Sequence, residues 1–118
     1  MATRARAMAS RFLHPPESSA AVRERVTAAR RRQTERFAGR RIFANSQMGP
    51  KEVKAFCLLP PEAERLLETA VVKLGFSARA YDRVLKVART IADLEAANDI
   101  STAHVSEAVQ YRMMDRLR

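Results

Sequence analysis

Apolar side chains recur at helical spacing over much of this chain, most clearly at Ala63, Leu66, Leu67, Ala70, Val71 and Leu74, which fall at i, i+3, i+4, i+7, i+8 and i+11. One face of that segment is therefore core. Pro61 suits its first helical position, Glu62 and Glu64 sit in its first turn, Lys73 in its last, and Gly75 stops it. Each charge has the sign the helix dipole favours. A second helix is predicted from Ala78 to about Ala96, capped by Ser77, with Tyr81, Val84, Leu85, Ala88, Ile91 and Ala92 inward and Val87 and Leu94 widening that face. Asn98 and Asp99 end it. Ser101 then caps a last helix that buries Val105, Ala108, Val109, Met113 and Leu117. Upstream, Ser18 and Ser19 offer a cap for a helix from about Ala20 to Phe37, whose narrow apolar stripe is Val22, Val26, Ala29 and Phe37, interrupted by Gln33. Residues 38–50, with two glycines and a proline, read as a mobile loop leading into a short helix from Pro50 to Phe56. No alternating strand pattern occurs, so the class is all-α and the architecture a compact four- to five-helix bundle.

A length of 118 residues suits one domain with a real core. No apolar run is long enough to span a bilayer, which excludes a transmembrane protein and leaves no membrane partner. A cytoplasmic location is expected. Cys57 has no partner for a disulfide and reads as packing; His104 falls in the opening turn of the last helix, where packing or capping explains it. With only His14 beside it, the chain lacks the ligands for a structural zinc.

Charge is distributed unevenly. Residues 1–50 carry 11 basic and 3 acidic side chains, net +8, while residues 51–118 carry 11 and 10, net +1. Local basicity of this kind concentrates anions. Residues 1–16, with three arginines, no acid and many Ala and Ser residues, have the composition of a flexible leader or transit peptide; the front edge of a gene fragment is the preferred expectation. Residues 17–118 then form the helical domain.

The chemistry of an ATPase is missing. The three glycines, Gly39, Gly49 and Gly75, admit no phosphate-cradling loop, and no nucleophile and base pair stands out, so the chain is expected to be non-catalytic on its own. Asp82 and Arg83 near Arg79, and Arg89 with Asp93, read as helix-surface charge pairs. Arg79 itself falls in the first turn after Ser77, where a cation opposes the helix dipole at a cost of roughly 0.3–1 kcal/mol. A phosphate bound at that end would be favoured by both the dipole and the guanidinium.

The run SARAYDRVLKVARTIADLE, followed by HVSEAVQYR and preceded by the weaker ESSAAVRERVTAARRRQTERF and KAFCLLPPEAERLLETAVVKL, resembles the C-terminal domain of the magnesium chelatase-like AAA+ ATPases, nearest their ComM-like branch. The resemblance covers residues 17–117. It implies a helical lid behind the nucleotide, with the arginine of the Ser77-Ala78-Arg79 triplet as a sensor 2 residue reaching the terminal phosphate. It also implies ATP and magnesium held mainly by an ATPase core outside this segment, a ring of neighbouring subunits as partners, and DNA processing rather than metal insertion into a porphyrin. For the isolated chain no cofactor is expected.

A different class of function stays open beside it. The first helix and the loop after it offer Arg23, Arg30, Arg31, Arg32, Arg40 and Arg41 for contact with nucleic acid or a partner, as in a free-standing basic helical module. Phe37 and Phe43 are the only aromatic residues near enough to stack on bases, which argues against sequence-specific recognition.

Overall fold

The computed structural model describes residues 17–116. Five α-helices lie within them: α1 (Ser19–Arg36), α2 (Pro50–Phe56), α3 (Pro61–Leu74), α4 (Ala78–Leu94) and α5 (Thr102–Arg116), with a 3-10 turn at Asn45–Gln47 between α1 and α2. No strand occurs among the described residues, so the chain is an all-α bundle. The leader expected over residues 1–16 and the burial expected for Leu117 fall outside them.

Local chemistry sets the helix ends. Ser18 Oγ accepts from the Ala21 amide at 3.1 Å and Ser77 Oγ from the Ala80 amide at 3.1 Å, each satisfying one of the free donors at a helix start. Glu52 reaches back to the Gly49 amide at 2.8 Å to close the start of α2. Gly75 takes the left-handed conformation at φ 67° and returns its amide to the Val71 carbonyl, stopping α3. The end of α4 departs from the expectation. The helix stops at Leu94, and Ala96 adopts φ 58° while the Ala97 amide bonds back to Ala92 at 2.8 Å, the closure for which glycine is the usual residue.

Helix α4 is the hub: it packs against α1, α2, the 3-10 turn and α5, while α3 lies on α5. Leu67, Val84, Val105, Ile100 and Phe37 are each at most 2% exposed and form the centre of the core. Each such aliphatic or aromatic side chain contributes about 1.5–3 kcal/mol by leaving water. The faces predicted for α3 and α4 point inward, though Val87 and Leu94 stand at their rim and Met113 of α5 is exposed.

Helix α1 corrects the sequence reading. Val22 is exposed, Val26 is half-buried, and the buried positions are Ala29 and Gln33, so the residue taken as an interruption belongs to the packing face. The loop after α1 is also more ordered in its bonding than a mobile tether. Asn45 is 1% exposed and Met48 is buried, because the Asn45 amide donates to Gln33 Oε1 at 2.9 Å and Gln47 Oε1 accepts from the amides of Phe43 and Ala44.

Candidate phosphate-contact sites

Arg79 stands exposed in the first turn of α4, one residue beyond the alanine that follows the Ser77 cap. No acidic residue shares that turn, and among the described residues no ion pair reaches its guanidinium. It edges an open hollow of about 520 Å³ lined also by Val71, Phe76, Ser77, Tyr81 and Asp82. Burial pushes the Tyr81 hydroxyl up, and the carboxylates of Glu64, Glu68 and Asp82 push it the same way, so Tyr81 stays a neutral donor beside the arginine. An exposed cation and the positive end of a helix meet at this opening, which favours an anion there, while the Asp82 carboxylate on its lining opposes one. Among the described residues no group of three or more His, Cys, Asp or Glu side chains is placed to hold a metal ion.

The six arginines proposed for nucleic-acid or partner contact divide into two kinds. Arg23, Arg30, Arg31 and Arg41 are exposed and, among the described residues, form no ion pair or side-chain hydrogen bond. Arg32 and Arg40 are engaged in the fold. Arg32 donates to the Ala96 carbonyl at 3.2 Å and to Asn98 Oδ1 at 3.4 Å, pinning α1 to the end of α4. Arg40 lies over the Phe56 ring at 5.1 Å with Glu52 3.8 Å away. Phe37, one of the two aromatic candidates, is 2% exposed and packs edge-on against Phe56, which removes it from any stacking role; Phe43 is 71% exposed.

One cluster of charge among the described residues is buried, and sequence reasoning placed its Arg89 and Asp93 on the surface. Asp93 and Arg89 are 1% and 4% exposed. Arg36 donates to both Asp93 oxygens, Nη1 to Oδ2 at 2.9 Å and Nη2 to Oδ1 at 2.6 Å, while Arg89 Nη2 lies 3.2 Å from Oδ1. Asn45 Nδ2 donates to Asp93 Oδ2 at 2.8 Å and to Thr90 Oγ1 at 3.1 Å, while Asn45 Oδ1 accepts from Arg36 Nη1 at 3.0 Å. Arg89 further donates to the carbonyls of Ala97 and Asn98. Burial alone would raise the Asp93 carboxyl, but hydrogen bonds from Arg36 and Asn45 with the charges of both arginines outweigh it and hold the group below the ordinary carboxylate range. Burial lowers Arg89, and Asp93 offsets part of that. One signal for this was present in the sequence: Arg89 follows Leu85 by four positions and Asp93 follows Arg89 by four, a line running up the inner face of α4.

Two smaller expectations hold. His104 caps and packs at the start of α5, its Nδ1 accepting from the Ser101 amide at 2.9 Å and its Nε2 lying 3.1 Å from Glu95 Oε1. Cys57 is buried, and burial, only partly offset by Arg89 and Arg36, pushes its thiol up to about 11, away from reactivity.

Residues 16–112 match the family described as Magnesium chelatase, subunit ChlI C-terminal. The chain belongs to that family. Relatives named YifB, described as uncharacterized, are 48% identical over 101 residues in Salmonella typhimurium and 44% over 108 residues in Escherichia coli, covering 86% and 92% of this chain. The competence protein ComM of Haemophilus influenzae is 46% identical over 101 residues, again 86% of the chain. The chain spans only about a fifth of these relatives' length, 19–21%. No solved structure matches it. Arg79 and the Arg36, Asn45, Arg89 and Asp93 network all lie inside the segment that matches the ChlI C-terminal family. No helix among the described residues is long and apolar enough to cross a membrane.

Proposed function

We propose that this domain is the helical lid of a magnesium chelatase-like AAA+ ATPase and that Arg79 is its sensor 2 residue, meeting the terminal phosphate of ATP. The observation that carries the reading is the exposed guanidinium of Arg79, without a counter-ion among the described residues, at the positive end of the longest amphipathic helix in the core. Its cost in an isolated helix becomes a gain once a phosphate arrives, because dipole and side chain then act together. In this reading the phosphate loop and the carboxylate that would hold magnesium against the phosphates belong to the remainder of a protein as long as these relatives. This chain's part is to orient and to neutralise. Arg79 offers a planar fork to phosphate oxygens, Tyr81 adds a neutral hydroxyl at the hollow's edge, and the capped helix keeps both in place.

Because α4 touches four of the other elements, a change of contact at its first turn would move the bundle as one body, the motion a lid passes to neighbouring subunits of a ring. The partners in this reading are the ATPase core and those subunits, in the cytoplasm. The likeness to a competence protein favours DNA processing over porphyrin metallation. ATP turnover in a full-length protein carrying this domain tests the proposal: Arg79→Ala is expected to lower it by about 10²–10³-fold, in the range for loss of a charged transition-state partner. Unchanged turnover would return Arg79 to the solvated surface.

A further inference from the structure

We infer that the outward face of α1, with Arg23, Arg30 and Arg31 as its cations, binds the phosphate backbone of a nucleic acid without reading its sequence. This names a surface for the DNA side of the proposed reading, and it rests on the geometry of α1 and not on Arg79.

At 3.6 residues per turn the buried positions Ala29 and Gln33 define one side of α1, and Arg23, Thr27, Arg30, Arg31 and Thr34 fall within an arc of about 100° on the other. No acid lies in that arc; Glu24 and Glu35 border it beyond Arg31. The helix is polar almost all round, buries only those two residues, and is tied down by hydrogen bonds from Arg32, Gln33 and Arg36 instead of an apolar stripe. A helix of this kind is built to be seen by solvent or a partner. Its structural arginines are already committed, which leaves the three outward ones with no role in the fold.

The side chains on the arc select among polyanions. Arginine forks and threonine hydroxyls are the groups that contact phosphate oxygens in nucleic-acid complexes, and of the two threonines Thr27 supplies that donor, since Thr34 Oγ1 donates to the Arg30 carbonyl at 3.0 Å. A membrane-surface helix would set a broad face of Leu, Phe or Trp opposite its basic one, and the only large apolar residues of α1 are Val22 and Val26. Base stacking has no aromatic residue on the arc, so discrimination between sequences is not expected.

The test is fluorescence anisotropy of the full 118-residue chain with labelled random-sequence duplex and single-stranded DNA across a salt series. The combined Arg23→Gln, Arg30→Gln and Arg31→Gln variant, in which helix propensity is kept, should bind at least about tenfold more weakly at low salt, and its slope of log affinity against log salt on duplex should be shallower by about 2–3. The corresponding triple lysine variant should retain the slope. A matched variant with Lys51, Lys54 and Lys73 changed to Gln should bind as wild type does. The inference is overturned if neither DNA binds at low salt, if the lysine-to-glutamine control flattens the slope equally, or if phosphatidylserine vesicles bind more tightly than DNA. Failure of these arms leaves the turnover test of Arg79 untouched.

Discussion

Asp93 joins two guanidiniums that arrive from different helices, with the side chain of Arg36 13% exposed and that of Arg89 5%. Removing the carboxylate would strand both charges in the core. Asp93→Asn should therefore destabilise the chain by about 3–5 kcal/mol, a melting shift of roughly 10–20 °C or more. The pH dependence has a definite sign. The folded pKa lies below the ordinary 3.8, so the contribution is complete above that value and is lost as pH falls below it toward the depressed folded value. Urea midpoints of wild type and Asp93→Asn should differ by a constant amount from neutral pH down to about 5 and converge below about 4. A constant gap to pH 2 would show that the ion pair is not the source of the difference. At Cys57 the same burial predicts slow reaction with a thiol reagent at pH 8 in the folded chain and fast reaction once it is unfolded by urea, since its thiol sits at about 11.

Helices α2 to α5 were legible because each carries its evidence locally: an apolar period, a cap and a stop within one segment. Helix α1 was legible as a helix but not as a packed one, since its burial is polar and its partners are distant in sequence. The Arg36 to Asp93 contact spans 57 positions, and Asn45, which completes the network, comes from a loop with no periodic pattern to mark it. Nothing in either local segment specifies that pairing. Arg79 is the opposite case, since its place in the first turn of a capped helix follows from its own segment alone. The end of α4 offers a test at this scale. Ala96 holds φ 58°, where a Cβ is disfavoured, while Arg32 and Arg89 donate to the carbonyls of Ala96, Ala97 and Asn98. Ala96→Gly should raise the unfolding free energy by up to about 1 kcal/mol, read from the denaturant midpoint. A lower midpoint would show that the left-handed turn is not strained.

Across the whole molecule, net charge is unevenly divided between the two parts of the chain. The net +8 of residues 1–50 contrasts with +1 for the remainder, which holds the apolar faces of α3, α4 and α5. One end of α4 presents Arg79 to an open hollow and the other is tied by Arg32 to α1, so the hub helix connects the proposed nucleotide end to the basic helix. That geometry gives the central claim its sharpest control, because Arg83 lies one turn beyond Arg79 on the same helix, is also exposed, and carries the same charge. ATP turnover should be measured for Arg79→Ala and Arg83→Ala side by side in a full-length protein containing this domain, with circular dichroism confirming equal helicity. The account predicts a fall of about 10²–10³-fold for Arg79→Ala and less than about threefold for Arg83→Ala. Equal effects of the two substitutions, or none from the first, would contradict it.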